Sequence, residues 1–152
     1  MEYVREARLD DIKDLAPLLR HSDIEEIKAS AGLSAAEALF LGVCLGKPAL
    51  TFIEPKGGLA GMFGVTPTND PYVGAVWMLS SDAIEKYPIH FLRRCKPWVD
   101  KFNETYPVLT NYVDQRNTLH IRWLRWLGFS FVRLIPYGVN QLPFYEIVRV
   151  KK

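Results

Sequence analysis

A single histidine on the apolar face of a predicted helix is the residue of this sequence best suited to acid–base chemistry. Residues 117–128, NTLHIRWLRWLG, have the apolar spacing of one helix, which we expect to begin at Asn117 and to end at Gly128. At about 100° per residue, His120 projects from the middle of the apolar arc. His120 is therefore either a general base or a neutral ring bonded to a backbone carbonyl or to Asp114. Because no nucleophile is identified beside it, the structural role is favoured.

Two further groups of residues have the chemistry to contact a ligand or a partner. Arg116, Arg122 and Arg125 form a predicted basic strip, which would meet phosphate, an acidic protein or water. Four tryptophans have the aromatic surface of base-stacking residues: Trp77, Trp98, Trp123 and Trp126. Their helical and strand spacing favours burial in a core or an interface over nucleic-acid binding.

Composition excludes several classes of protein. A chain of 152 residues with 49% hydrophobic content is expected to form one globular domain over residues 1–152. Its 19 basic and 17 acidic residues are too balanced for a general nucleic-acid binder. The charged start does not resemble a secretory signal, and the longest apolar run, residues 38–45, is far shorter than the roughly 20 residues of a membrane span. Cys44 and Cys95 lack metal-ligand spacing, so we expect a soluble protein with reduced thiols and without zinc.

The elements that position these residues follow from periodicity and turn chemistry. Strands are predicted at 2–7, 49–53, 59–65, 73–79, 108–113, 129–135 and 144–150. Helices are predicted from Asp10 through Leu19, from Ser22 to Lys28, from Ser34 to Gly46, from Pro88 to Pro107 and from Asn117 to Gly128. The two consecutive strands 49–53 and 59–65 form a hairpin, and the last two strands form another. This order predicts an α/β fold with a mixed sheet and helices on both faces.

Details of three elements give testable expectations. In the helix after Ser34, one apolar face is formed by Ala38, Leu41 and Leu45. In the helix from Pro88, the core stripe is formed by Phe91, Cys95, Trp98 and Phe102. Pro97 lacks an N–H group, which predicts a kink or a break near residues 93–96. Strand 73–79 is apolar on both faces, as expected for a central strand.

The order of elements resembles the GNAT acyltransferase fold, and residues 117–129 resemble its last motif. Asn117, Gly128 and Phe129 match that motif, whereas His120 and Leu124 replace its small residue and its tyrosine. A narrower resemblance is to the internal virion protein A family of short-tailed coliphages, in which histidine and leucine at these two positions are normal. The residues that carry it are Asn111, Tyr112, Val113, Asn117, Thr118, His120, Ile121, Arg122, Leu124 and Gly128, with weaker support from Val76, Trp77, Leu79 and Ser80.

The narrower resemblance implies a phage origin and a role in particle assembly or genome delivery. The implied partners are virion or assembly proteins, and the implied location is the host cytoplasm during infection or the virion. The GNAT resemblance implies a site for acetyl-CoA, whose pyrophosphate would lie on a glycine-containing loop after the fourth strand. The corresponding residues 80–89, SSDAIEKYPI, contain no glycine and include two acidic residues, Asp82 and Glu85. Acetyl-CoA is thus a conditional cofactor, with Leu79, Ser80, Lys86 and Asn117 as its candidate contacts.

The GNAT resemblance also assigns candidate catalytic residues. The tyrosine of that family protonates the departing CoA thiolate, which Leu124 cannot do, and Tyr112 on the preceding strand is the candidate substitute. Glu54 lies near where some GNAT enzymes place a base, although a turn residue before Pro55 is the alternative. We therefore expect a phage assembly protein without normal acetyltransferase catalysis, or alternatively an acetyl-CoA-dependent N-acyltransferase using Tyr112, His120 and Glu54. A nucleic-acid-binding module is the weakest of the three hypotheses.

Overall fold

A twisted mixed sheet forms the centre of the computed structural model, which describes residues 2–152. Its seven strands are β1 (Val4–Glu6), β2 (Ala49–Ile53), β3 (Leu59–Pro67), β4 (Val73–Ser80), β5 (Val108–Asp114), β6 (Ser130–Tyr137) and β7 (Leu142–Val150). The helices are α1 (Leu9–Leu15), α2 (His21–Ala31), α3 (Ala35–Leu45), α4 (Ala83–Lys86), α5 (Pro88–Thr105) and α6 (Thr118–Trp126). A 3₁₀ turn, Ala16–Leu18, joins α1 to α2. The predicted α/β class and the order of strands and helices are confirmed.

The strand order across the sheet is β1-β2-β3-β4-β5-β7-β6. Every neighbouring pair is antiparallel except β4 and β5, which are parallel. These two strands pair only at their first residues, Val73–Ala75 with 108–110, and separate beyond that point. Both predicted hairpins, β2 with β3 and β6 with β7, are present.

Helices cover both faces of the sheet. Successive residues of a strand point to opposite faces, so neighbouring residues contact different helical layers. Met62 of β3 packs with Leu15 and Leu39 beneath helices α1 to α3, and the next residue, Phe63, belongs to the other apolar cluster. That second cluster includes Phe91 of α5 and Trp123 of α6. The predicted arrangement of helices on both faces is therefore confirmed.

Two expectations about α5 need correction. Pro97 lies inside α5 without ending it, so of the predicted kink or break, the break does not occur. Pro97 and Arg93 are both exposed, and the carbonyl that loses its donor therefore lies toward solvent. Trp98 is only partly buried, and Val99 takes the core position. In α3 the three residues of the predicted face, Ala38, Leu41 and Leu45, do lie on one side, where they line a single cavity. Leu41 and Leu45 are nevertheless exposed, and the buried residue of the helix is Leu39.

Two glycines explain local geometry that other residues would disturb. Gly128 ends the α6 segment with φ +92°, the left-handed conformation that its position after the helix predicted. Gly42 lets α3 approach the sheet, since a Cβ atom there would lie 2.6 Å from the Trp77 ring. No single helix within residues 2–152 has the length and apolar character of a membrane span, although α2 and α3, bent by 75°, pass that test as a pair.

Candidate functional site

The separation of β4 from β5 opens a slot in the sheet, which we call the β4–β5 slot. Asn111 lies at the point of separation, where its Nδ2 donates to the Val76 carbonyl and its Oδ1 accepts from the Tyr112 amide at 2.7 Å. The Asn111 side chain thus satisfies backbone groups that would otherwise bond across the two strands. Beyond it lies a mainly apolar cavity of about 610 Å³.

The cavity passes between the two helical layers, since residues of both apolar clusters line it. Leu79 comes from the cluster under α1 to α3, and Phe91 comes from the cluster under α4 to α6. Its polar lining includes Glu26 and His120. The Trp77 indole Nε1 is buried without a hydrogen-bond partner among residues 2–152. The slot therefore combines an apolar passage with a small number of polar groups.

One end of β4 is closed by a buried polar network centred on Asp23 of α2. The Asp23 carboxylate accepts hydrogen bonds from the Ser80 amide at 2.9 Å, the Asn117 Nδ2 at 2.9 Å and the Arg20 Nη1 at 3.2 Å. The Arg20 amide also donates to the Ser80 carbonyl at 2.9 Å. Asp23 has no solvent exposure, so these donors replace the water that it loses on folding. Residues far apart in sequence thereby join α2, β4 and α6.

His120 lies within the same network. Its Nε2 is 3.3 Å from the Ser80 Oγ and 3.4 Å from an Asp23 oxygen, and the residue is buried. Burial lowers the pKa of His120, and the nearby Arg20 lowers it further, while Asp23 opposes both. The imidazole is therefore neutral at pH 7 and hydrogen-bonded to partners different from the Asp114 or backbone carbonyl considered from the sequence.

Glu26 lies one turn along α2, at the wall of the cavity. Its Oε1 accepts from the Asp114 amide at 2.7 Å. Burial, together with the negative charges of Asp23 and Asp114, raises the pKa of Glu26 to about 8, although the Asp114 amide bond acts in the opposite direction. Glu26 is therefore mainly protonated at pH 7, and its carboxyl group can donate as well as accept.

The candidate cofactor contacts predicted from the sequence have different environments. Ser80 and Asn117 are buried in the network, and Leu79 is a core residue beside the cavity. Asn117 precedes α6 as predicted, but its side chain does not cap the helix, because it binds Asp23 and Arg20 instead. Lys86 is exposed at the end of α4.

Tyr112 and Glu54 are both bonded to groups outside the network. The Tyr112 hydroxyl donates to Glu146 at 3.0 Å, and its ring stacks on Tyr137 with centroids 4.1 Å apart. The bond to Glu146 raises the pKa of Tyr112. Glu54 accepts from the amides of Gly58 at 2.7 Å and Lys56 at 3.1 Å, and these bonds lower its pKa. This geometry is that of a turn-stabilising residue, as the alternative for Glu54 anticipated.

The residues present fit one part of an acyl-CoA and not another. The slot has the apolar walls that the extended arm of an acyl-CoA requires. The loop after β4 lacks a receptive set of amides, since the Ser80 amide binds Asp23, the Ser81 amide binds the Ala60 carbonyl and the Glu85 amide binds the Asp82 carbonyl. Asp82 and Glu85 are exposed beside them. Glu85 is paired with Arg20 at 3.1 Å, so the charge that would repel a pyrophosphate is mainly that of Asp82. The pyrophosphate part of the cofactor is thus without a fitting site.

A second depression, the α5–α6 groove, lies on the surface of the second helical layer. Leu92 of α5 faces Leu119 and Trp126 of α6 across a volume of about 530 Å³. Trp126 is 51% exposed, so of the two expected environments, a core or an interface, it does not occupy the core. Arg122 also lines the groove and has no carboxylate within 4 Å among residues 2–152.

Sequence reasoning missed three residues of the network: Arg20, Asp23 and Glu26. The only available signal was the spacing of Asp23, Glu26 and Ile27 at three and four residues, which places two carboxyl groups beside an apolar residue on one helix face. That pattern is common on exposed helices. The buried partner of Asp23, Asn117, lies 94 positions away, and no local rule relates the two.

Comparison with known proteins gives two kinds of similarity. Residues 72–133, less than half of the chain, match the family described as Bacteriophage T7, probable scaffold protein Gp13. No curated protein matches the chain.

Solved acetyltransferases match nearly the whole chain in structure. The ribosomal-protein-S5-alanine acetyltransferase from Vibrio fischeri has a TM-score of 0.70 at 13% identity, covering 100% of this chain and 95% of its own. A GNAT-family acetyltransferase from Streptococcus pneumoniae has a TM-score of 0.65 at 14% identity, covering 98% of each chain. A phosphinothricin acetyltransferase from Sinorhizobium meliloti, solved in complex with AcCoA, has a TM-score of 0.60 at 14% identity, covering 97% of this chain and 87% of its own. The chain therefore has the fold of the GNAT acetyltransferases, and its segment 72–133 is similar to a phage scaffold family.

Proposed function

We propose that this chain is a phage protein of the internal virion protein A type, which acts in particle assembly through protein contacts and not through acetyl transfer. The observation that carries this proposal is the match of residues 72–133 to a phage scaffold family. That segment contains β4, α4, α5, β5 and α6, which supply most of the α5–α6 groove and the Ser80, Asn117 and His120 members of the network.

The chemistry of the slot supports the same proposal. Leu124 has no transferable proton where the GNAT resemblance places a tyrosine, and the Tyr112 hydroxyl is bonded to Glu146. At the end of β4, Asp23 and Arg20 of the chain itself bond the amide and the carbonyl of Ser80. A fold that has kept its architecture while its loop and proton donor are replaced is suited to binding proteins. The partners would be virion or assembly proteins, in the host cytoplasm during infection and in the particle.

Deletion of the gene from the encoding phage tests this function. We expect fewer infectious particles and an altered set of particle proteins by mass spectrometry, both restored by the wild-type gene in trans. Arg122→Glu, in the α5–α6 groove, should fail to restore them. Lys13→Glu makes the same charge change at an exposed position of α1 and should restore them. Particles of normal yield, composition and infectivity without the gene would refute the proposal.

A second candidate function, N-acyl transfer from an acyl-CoA, is favoured by the β4–β5 slot alone. In that function His120 or Glu54 would remove a proton from the acceptor amine, and Tyr112 would supply one to the leaving group. A ligand present at 100 times its dissociation constant stabilises a folded protein by about 2.7 kcal/mol. A thermal-shift titration with acetyl-CoA and longer acyl-CoAs therefore separates the two functions. We expect no shift, and a saturable shift accompanied by acylation of an amine would support the enzyme.

A further inference from the structure

Helix α3 exposes apolar side chains where a helix on a protein surface normally exposes polar ones. Its buried side is defined by Leu39, which has no exposure, and by Gly42, which lies against the Trp77 ring. Away from Leu39, Phe40 is 50% exposed, Leu41 is 43% exposed and Leu45 is 52% exposed, and Cys44 is also exposed. Leu41 and Leu45 also line the cavity of the β4–β5 slot. At about 100° per residue these four residues cover an arc of roughly 140°, which we call the outer α3 face.

The outer α3 face is more apolar than a helix face in contact with water normally is. A helix of a soluble domain directs an apolar stripe to the core and polar residues to water, whereas the only charged residue within α3 is Glu37. Contiguous exposed apolar residues of this kind mark interaction surfaces. Leu9 of α1 and Leu18 of the 3₁₀ turn are also exposed, and both belong to elements that contact α3.

We propose that the outer α3 face binds the same face of a second copy of this chain, with the two α3 helices antiparallel across a twofold axis. The charges at the two ends of the helix favour this occupant. Glu37 lies in the first turn, and the exposed Lys47 lies ten positions later, just after the helix ends. An antiparallel pair places each Glu37 beside Lys47 of the other copy, so that the symmetric contact contains two ion pairs.

Both charged groups are available for this contact. Neither Glu37 nor Lys47 has an oppositely charged side chain within 4 Å among residues 2–152, where all ion pairs join other residues. Glu37 Oε1 accepts from the Ser34 amide at 3.0 Å, which leaves its other oxygen free to accept from lysine. A parallel pair would bring like charges together at each end.

The register of the pair follows from the positions of its charges. If Glu37 is opposite Lys47, then Phe40 is opposite Cys44 of the other copy, and Leu41 lies near the twofold axis. Two Cys44 residues would be separated by four residues, or about 6 Å along the helix axis. The register therefore predicts that the cysteine of one copy contacts an aromatic ring and not the other cysteine.

The outer α3 face is less suited to binding a membrane surface than to binding a second copy of the chain. Eleven residues of helix are about 16 Å long, roughly half the thickness of a hydrocarbon core. Helices that lie on membranes carry several lysines or arginines beside the apolar face, whereas α3 itself contains none. The dimer would cover part of the β4–β5 slot, because Leu41 and Leu45 line it, but its formation requires neither of the two candidate functions.

The dimer is tested first by sedimentation equilibrium with a charge reversal. Wild-type protein should dimerise, and Glu37→Lys or Lys47→Glu alone should raise the dimer dissociation constant by roughly tenfold. The double variant E37K/K47E should recover the wild-type constant, although it retains any loss of helix capping from Glu37. Leu41→Glu should be monomeric, while Lys13→Glu should behave as wild type.

A disulfide experiment tests the register. Wild-type protein mixed with F40C/C44S and oxidised gently should give a covalent dimer that neither protein forms alone. Ala36→Cys in the C44S background, which lies outside the arc, should not cross-link. Protein that stays monomeric up to about 1 mM would overturn the proposal. Monomeric protein that binds vesicles of phosphatidylcholine, alone or mixed with an anionic lipid such as phosphatidylglycerol, would also overturn it. So would a dimer without rescue by E37K/K47E or without the mixed disulfide.

Discussion

The raised pKa of Glu26 gives a prediction about the pH dependence of folding. Glu26→Gln imitates the protonated carboxyl group and keeps an oxygen that can accept from the Asp114 amide. We expect the variant to match the wild-type free energy of unfolding near pH 5 and to exceed it increasingly as the pH rises. The reason is that the folded protein must either retain a proton on Glu26 or bury a charge near Asp23 and Asp114.

The sign and the size follow from the two pKa values. Between the ordinary value of 4.5 and the folded value of about 8, the unfolded chain binds fewer protons than the folded protein, so stability falls as pH rises. The slope is at most about 1.4 kcal/mol per pH unit, and the difference of about 3.5 in pKa gives a ceiling of about 4.8 kcal/mol. Glu26 retains some exposure, so we expect about half of that ceiling, roughly 2–3 kcal/mol at pH 8.

Urea unfolding, followed by tryptophan fluorescence between pH 5 and 8.5, measures the free energy of unfolding of the wild type and of Glu26→Gln as a function of pH. Glu25→Gln, the same change on the same helix, is the matched control and should run parallel to the wild type. In Glu26→Gln the remaining slope should have the opposite sign below about pH 6.5, because the lowered pKa of His120 removes stability as the pH falls. Parallel profiles for the wild type and Glu26→Gln would refute a protonated Glu26 in the folded state.

Three further predictions concern stability and thiol reactivity. Asp23→Ala should lower the free energy of unfolding in urea by about 3–5 kcal/mol, because it leaves buried donors and the Arg20 charge without a partner. The control Asp82→Ala, at an exposed position, should change it by less than about 0.5 kcal/mol. Equal losses of stability in the two variants would contradict the network. Gly42→Ala should lower stability by about 1–2 kcal/mol, since the added methyl group overlaps an indole ring, and a gain, as expected for an unobstructed helix, would show that this packing is wrong. With a thiol reagent, exposed Cys44 should react at once. Cys95 should react only on unfolding, because it is buried and burial raises its pKa well above the usual value. Rapid reaction of two thiols per folded chain would contradict this.

The sequence by itself determined the secondary structure and the fold class. Periodicity and the turn and cap residues placed every strand and the main helices, because these signals depend on residues only a few positions apart. Gly128 is an example, since its left-handed conformation follows from its place after a helix. The resemblance of residues 117–129 to a GNAT motif indicated the fold that the solved acetyltransferases share with this chain.

Only the tertiary structure decided which polar residues lie together and which apolar residues remain outside. Asp23 meets Asn117 and Ser80 because α2 crosses the open end of β4, a contact between residues 57 or more positions apart. The position of Asn117 before α6 was predictable, but the use of its side chain was not, because its Oδ1 accepts from Arg20 and its Nδ2 donates to Asp23, both distant in sequence. Leu41 and Leu45 carry the same apolar signal as buried Leu39, and only the packing of α3 against the sheet leaves them partly exposed beside the β4–β5 slot. Hydrophobicity specifies that a residue favours burial, and the neighbouring elements determine whether a partner is there to bury it.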